Sequence, residues 1–182
     1  MALKATIFKA DLTVSDLDRG HFETHALTIA RHPSETDERM MVRLLAFALN
    51  ADERLAFGRG LSSEGEADLC LTDLTAAIDL WIDVGLPDER EIRKASGRAD
   101  RVAVYTYGTG AEPWWKQNAP ALERLANVAI VEVPLDATRA LAAQAAEEVE
   151  HEADVAVLGV ELRLVEQMQQ GARRVRTLEH EG

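Results

Sequence analysis

The chain has 182 residues, and its 32 Asp and Glu residues outnumber its 20 Lys and Arg residues, which gives a formal net charge of −12. This length and a hydrophobic content of 47% predict a single globular domain over residues 1–182 and exclude a chain that is disordered throughout. No apolar run approaches the ~20 residues of a membrane span, and the first residues lack the apolar core of a signal peptide. We therefore expect a cytoplasmic protein with no membrane partner. The net charge excludes a surface that binds nucleic acid everywhere, but it allows a local basic groove.

The first fifty residues predict a hairpin followed by a helix. Residues 3–16 and 21–30 have the composition of strands and are joined by a turn-like stretch, which favours a long N-terminal β-hairpin. The helix is expected to begin after Ser34 as its N-cap, since acidic residues follow in the first turn. Apolar residues then recur from Met41 with helical spacing, and the helix is expected to end near Asn50.

The rest of the chain alternates between strands and helices. Strands are predicted at residues 68–72, 78–84, 101–107, 128–133 and 155–165, and helices at residues 88–96, 114–127 and 137–150. The strand–helix order after residue 101 implies parallel strands joined by right-handed crossovers, whereas the earlier hairpins are antiparallel. The predicted fold is therefore an α/β fold, with a mixed β-sheet core flanked by helices. Residues 171–182 are highly charged and predict a flexible tail.

The strand pair at residues 68–72 and 78–84 offers a candidate metal site. If a four-residue turn at residues 74–77 joins the strands, their apolar faces match and Asp68 lies directly opposite Asp83. Two opposed carboxylates repel each other, and a bound Mg²⁺ or Mn²⁺ ion would remove the repulsion because it takes one or two carboxylates plus water and phosphate oxygens. The alternatives are two solvated aspartates, or a register shifted by two residues that separates them. The five histidines show no metal-ligand spacing of the H-E-x-x-H kind.

Glu38 is a second candidate. It precedes Met41 by three residues and Leu45 by seven, and so lies on the apolar stripe of its helix. A buried carboxylate must be paired, protonated or bound to a metal. The alternatives are a first helical turn near solvent, or a neighbouring arginine that pairs with the carboxylate.

A basic segment follows the acidic strand pair. It contains the side chains of Arg90, Arg93, Lys94, Arg98 and Arg101, in a chain that is otherwise acidic. Arg90, Lys94 and Arg98 would form one stripe if the helix continued that far. Basic groups beside an acidic metal site suit a phosphodiester, because they bind phosphate while the metal activates water. The alternative is a solvated helix face that pairs with neighbouring acidic residues.

Several of these residues lie in stretches with a family resemblance. Residues 2–6, 32–41, 80–85, 93–95 and 104–107 resemble the bacterial YaeQ family, and the similarity extends over nearly the whole chain. The resemblance implies the fold of the PD-(D/E)XK nuclease superfamily, in which a mixed sheet is flanked by helices and a hairpin carries the metal ligands.

The superfamily pattern implies a role for each candidate. The helix Glu would be Glu38, the first-strand Asp would be Asp68, and the second-strand acid would be Asp83, with Asp79 as the alternative. The superfamily lysine, two positions after the second-strand acid, is replaced by Gly85. Lys94 on the next helix would have to supply the missing positive charge.

Two functions follow as hypotheses. The first is a Mg²⁺- or Mn²⁺-dependent phosphodiesterase or nuclease-like protein that acts on nucleic acid, with Arg90, Arg93 and Arg98 as phosphate contacts. The second is a non-catalytic descendant of the nuclease fold that binds a protein or a nucleic acid. Gly85 and the net charge favour the second hypothesis, and the opposed aspartates favour the first.

Overall fold

A computed structural model describes residues 5–16, 19–58, 65–147, 149–152, 155–158 and 175–176. The strands are β1 (Thr6–Asp16), β2 (His21–Arg31), β3 (Leu55–Phe57), β4 (Leu69–Thr72), β5 (Ile78–Val84), β6 (Ala99–Thr106), β7 (Val128–Glu132), β8 (Val149–Glu152), β9 (Val155–Leu158) and β10 (Val175–Arg176). The helices are α1 (Asp37–Leu49), α2 (Glu89–Ser96), α3 (Ala111–Leu122) and α4 (Leu135–Glu147). None of the described helices is both long and apolar enough to cross a membrane.

The strands form two sheets, and the α/β class with a mixed sheet and an N-terminal hairpin is confirmed. One sheet has the order β2-β1-β9-β8, and the other has the order β10-β7-β6-β5-β4-β3. In the larger sheet, β5, β6 and β7 are parallel, while β3, β4 and β10 pair antiparallel with their neighbours. The hairpin β1–β2 pairs antiparallel along its whole length, and β9 adds to it in parallel.

Helix α1 lies in the main core. Residues Met40–Ala48 are all buried, and they pack with apolar side chains of the first hairpin, of β4 and β5, and of α4. A helix that is buried on every side keeps a polar side chain only where that side chain finds partners. The single charged residue in this buried stretch is Arg43, which is fully inaccessible to solvent.

The β4–β5 hairpin has the predicted register over most of its length. Leu69 pairs with Ile82, and Leu71 pairs with Leu80. A bulge at Thr72 then shifts the register, because the side chain of Asp73 accepts backbone N–H bonds from Thr75 and Ala77 and tightens the connection. The backbone N–H of Asp73 donates to the Ala77 carbonyl at 2.9 Å, so the predicted turn at residues 74–77 is one residue too long at its end.

Several predicted boundaries are wrong. Thr36, not Ser34, is the N-cap of α1, because its hydroxyl accepts the backbone N–H of Arg39. Helix α3 begins three residues before the predicted start, since Pro113 in a first turn needs no N–H partner, and it ends five residues before the predicted end. Helix α4 ends at residue 147, because residues 149–152 pair with β9 as a strand.

The predicted C-terminal elements are described only in part. Residues 159–165 of the predicted last strand lie outside the described residues, as does the predicted tail at residues 171–182 apart from β10. Strand β10 pairs with β7, so this part of the predicted tail belongs to the larger sheet.

Candidate functional site

A cavity of about 680 Å³ lies where β4 and β5 meet helix α2. Asp68 reaches it from the residue before β4, and Asp83 reaches it from β5. Lys94 on α2 and Arg98, two residues after the end of α2, line the same cavity. The chain folds this way because residues 85–87 reverse its direction between β5 and α2, and Asp88 caps the new helix. The fold thus brings together four residues that the sequence singles out.

The two aspartates are neighbours across the strand pair. Leu69 pairs with Ile82, so the preceding residue, Asp68, falls beside Asp83. The backbone N–H of Val84 donates to Asp68 Oδ2 at 2.7 Å, and the backbone N–H of Asp68 donates to the Asp83 carboxylate. Each carboxylate is therefore held by the backbone of the opposite strand.

Asp68 is also bound by a guanidinium. Arg39 Nη2 lies 2.7 Å from Asp68 Oδ1 and 2.8 Å from Oδ2, and Arg43 Nε lies 3.7 Å from Oδ1. Together with the Val84 N–H, these contacts engage both oxygens of a carboxylate that is only 11% exposed. A metal ion that used Asp68 directly would have to compete with these donors.

A buried carboxylate, Glu35, completes this ion-pair network. Glu35 Oε1 accepts from Arg39 Nη1 at 2.7 Å, and both of its oxygens lie 3.2 Å from Arg43 Nη1. Burial lowers the pKa of Arg39, but the charges and hydrogen bonds of Asp68 and Glu35 more than offset this and raise it. The positive charges of Arg39 and Arg43 thus neutralise the negative charges of Glu35 and Asp68. Asp83 is not part of this ion-pair network.

Asp83 has the most perturbed environment of the cavity carboxylates. Burial raises its pKa to about 6, and the negative charges of Asp68 and Glu91 contribute to the increase. The Trp81 Nε1–H donates to Asp83 Oδ1 at 2.9 Å and partly opposes the increase. Within the described residues, no basic side chain forms an ion pair with Asp83.

The donor types suit a hard divalent cation. Mg²⁺ and Mn²⁺ prefer carboxylate oxygens, and Asp83 offers a carboxylate that no guanidinium occupies. Asp68 lies beside it but is bound by Arg39. The arrangement therefore fits a cation that binds to the Asp83 carboxylate. Asp68 can become a second ligand only if its ion pair with Arg39 breaks.

The basic stripe predicted on α2 is interrupted. The helix ends at Ser96, so Arg98 reaches the cavity from the following loop, where its guanidinium lies 5.0 Å from the Trp81 ring centroid and donates to the Gly65 carbonyl at 2.9 Å. Arg90 is exposed and does not line the cavity. Arg93 is bound to Glu89 through its Nε at 2.9 Å. Of the three residues in the predicted stripe, Lys94 and Arg98 line the cavity that holds the aspartates, and Arg90 does not.

Two predicted site residues lie elsewhere. Glu38 is half-buried in the first turn of α1 and does not line the cavity. Its negative charge lies near Tyr107 and contributes to the raised pKa of that tyrosine. The buried carboxylate of this segment is instead Glu35, because α1 begins two residues later than predicted. Asp79 lies toward the other end of β5, where its carboxylate is 3.3 Å from Arg54 Nη1.

Gly85 explains why the expected lysine is missing. It lies just after β5 with a φ of +117°, a conformation that side-chain-bearing residues rarely adopt. A lysine at this position would strain the backbone by about 1–3 kcal/mol. The backbone at position 85 thus favours glycine over the lysine that the resemblance led us to expect.

The residues that sequence reasoning missed are those of the buried network and the indole. Arg39 and Arg43 lie four residues apart on one face of α1, and Glu35 precedes Arg39 by four residues, just ahead of the N-cap Thr36. This spacing was a readable signal. Trp81 alternates with Asp83 on β5 and so shares its face.

The chain belongs to the YaeQ family, whose profile, described as YaeQ protein, matches residues 1–175. The YaeQ protein of Escherichia coli (strain K12) is 53% identical over 131 residues, which cover 71% of this chain and 72% of that protein. The crystal structure of YaeQ protein from Xanthomonas axonopodis pv. citri is similar with a TM-score of 0.73 and 54% identity, over 76% of this chain and 79% of that one. The YaeQ protein from Pseudomonas syringae gives a TM-score of 0.74 and 41% identity, over 84% of this chain and 81% of that one.

Proposed function

We propose that the cavity binds a nucleic-acid phosphodiester together with one Mg²⁺ or Mn²⁺ ion, and that the protein is a metal-dependent phosphodiesterase or nuclease-like protein of the bacterial cytoplasm. The observation that carries this proposal is the shared cavity, whose lining includes two adjacent aspartates together with Lys94 and Arg98. Carboxylates would hold the cation, and the two basic side chains would contact phosphate oxygens.

Each cavity residue has a distinct part in this proposal. A divalent ion bound at Asp83 would supply an activated water and neutralise developing negative charge. Arg39 fixes the orientation of Asp68, and the Trp81 N–H fixes that of Asp83. Lys94 takes the part of the lysine that the backbone disfavours at Gly85, and it stabilises the charge of the transition state.

Metal binding is tested by Asp83→Asn beside Asp79→Asn, a matched control on the same strand but outside the cavity. A ligand at one hundred times its Kd stabilises the folded state by about 2.7 kcal/mol, which raises the melting temperature by about 5–11 °C for a chain of this length. We expect millimolar Mg²⁺ or Mn²⁺ to raise the melting temperature of the wild type and of Asp79→Asn, but not that of Asp83→Asn. An equal effect on all three proteins contradicts the assignment.

Catalysis is tested with Lys94→Ala and with Lys116→Ala, which removes the same charge from the surface of α3, where Lys116 pairs with Glu112. Labelled single- and double-stranded DNA and RNA are incubated with Mn²⁺ or Mg²⁺. We expect cleavage by the wild type and by Lys116→Ala, and at least a hundredfold loss in Lys94→Ala with metal binding intact. Cleavage by Lys94→Ala at the wild-type rate excludes the proposed role.

A non-catalytic binding protein is the second candidate, and the engagement of Asp68 by Arg39 favours it. In that case nucleic acid binds and is not cleaved, and its affinity falls as salt increases, with a slope of about −0.9 per phosphate contact on duplex. Replacing Arg98 by Ala should then flatten the slope. No affinity at low salt in the presence of metal would favour a protein partner instead.

A further inference from the structure

A second polar cluster lies on the N-terminal hairpin, away from the cavity. His21, Glu23 and His25 occupy alternate positions of β2 and therefore share one face of the strand. This face is directed toward the core, because His25 pairs in register with Leu12, which is fully buried. The histidine side chains are 18% and 10% exposed, whereas the Glu23 side chain is 47% exposed.

The ligand atoms of these three residues converge. His21 Nε2 lies 3.0 Å from His25 Nε2, and Glu23 Oε2 lies 3.9 Å from the first and 4.0 Å from the second. Residues four apart in a straight strand have Cα atoms about 13 Å apart, so the two imidazoles reach toward each other along the strand. Their rings are nearly parallel, with centroids 5.2 Å apart, and the edge contact between His25 and Phe47 at 5.2 Å fixes one of them.

These distances are close to those within a metal coordination sphere. Two ligands at 2.0–2.1 Å from a zinc ion lie ~3.3 Å apart in a tetrahedron and ~3.0 Å apart at right angles. The two nitrogens already have this separation, and the carboxylate would have to move by less than 1 Å. In the absence of a metal, the imidazole pair is explained by one ring donating an N–H to the other.

The cluster is separate from the acidic cavity. It contacts α1 through Phe47 in the last turns of the helix, whereas the cavity is reached by Arg39 in the first turn. Eight helical residues correspond to about 12 Å along the helix axis. The chemistry also differs, because two imidazoles and one carboxylate favour zinc and its neighbours in the first transition row over Mg²⁺ or Ca²⁺.

We propose that His21, Glu23 and His25 bind one divalent transition-metal ion of the zinc class through the two Nε2 atoms and the Glu23 carboxylate. The exposed side of Glu23 leaves the remaining coordination positions to water. All three ligands come from five consecutive residues of a paired strand, so the strand holds them close together before the ion arrives and no loop has to close around it.

The experiment titrates Zn²⁺, Ni²⁺ or Co²⁺ into the full chain after treatment with a chelator, with calorimetry for affinity and the visible spectrum of Co²⁺ for the ligands. The wild type is compared with His21→Gln and Glu23→Gln, and with His32→Gln as a matched control, because the His32 side chain is bonded to Ser34 outside the cluster. We expect one ion per chain, at least a tenfold weaker affinity in the two cluster variants, and no change in His32→Gln.

Two results of this titration would contradict the proposed metal site. Failure of the wild type to bind any of the three ions contradicts the proposal and leaves the histidines as a hydrogen-bonded pair. Wild-type affinity in both cluster variants places the ion elsewhere and also contradicts it. Thermal unfolding of each variant without metal shows whether the fold is intact, and Asp83→Asn is expected to retain the full affinity for Zn²⁺.

Discussion

Replacing Asp83 by Asn is expected to stabilise the protein at neutral and alkaline pH. The folded chain holds a proton on Asp83 up to a pKa of about 6, compared with 3.8 for an ordinary aspartate. Between these two values the folded state binds more protons than the unfolded state, so the stability of the wild type falls as pH rises. At 1.36 kcal/mol for each pH unit, the ionisation of this buried carboxylate costs about 3 kcal/mol above pH 6.

The asparagine variant avoids this cost because it has no proton to lose. We expect its free energy of unfolding to match that of the wild type near pH 4 and to exceed it by up to about 3 kcal/mol at pH 8. Urea unfolding at these two values of pH measures the difference and stays clear of the isoelectric point near 4.8. Asp79→Asn controls for the loss of a surface charge. A difference between variant and wild type that stays constant from pH 4 to pH 8 would refute this account of Asp83.

Two further outcomes are expected for groups in the core. Glu35→Gln should destabilise the protein by about 3–5 kcal/mol in thermal or urea unfolding, because it leaves Asp68 as the one carboxylate of the network for both Arg39 and Arg43. Glu38→Gln should change stability by less than about 1 kcal/mol. Burial raises the pKa of both Tyr105 and Tyr107, which are the only tyrosines of the chain. The ultraviolet absorbance of the native protein should therefore show that neither phenol is half ionised at pH 10. The chain unfolded in urea should reach half ionisation at that pH. Phenols that titrate at pH 10 in the native protein would contradict their burial.

The part of the site that could be predicted from the sequence is the pair of aspartates, because the alternation of residues along two neighbouring strands determines their positions. The alternation of apolar and polar residues in β4 and β5 determines their register, and the register brings Asp68 beside Asp83. Turn chemistry was less accessible, because the bulge at Thr72 depends on hydrogen bonds to the Asp73 side chain. That local change left the other end of the hairpin, and therefore the aspartates, in place.

The partners of those aspartates depend on contacts between distant segments. Arg39 and Asp68 are 29 residues apart, and their pairing requires α1 to pack across the end of β4. With the N-cap placed two residues too early, Glu35 counts as one of the acidic residues that suit the first turn of a helix, and its burial beside Arg39 and Arg43 has no sequence signal. The histidine cluster gives no helical signal, because its H-x-E-x-H spacing places the three side chains on one face of a strand, whereas H-E-x-x-H places two histidines on one face of a helix.

The parallel pairing of β1 with β9 has a consequence for synthesis. Ile7 pairs with Val155, so one edge of the first hairpin stays without its partner strand until more than 150 residues have been made. At 5–20 residues per second, a ribosome needs about 7–30 s to reach that point, and the hairpin meanwhile presents unpaired backbone groups along β1. Folding of this sheet therefore waits until β9 has been made, and the growing polypeptide is most exposed to misassociation during that interval.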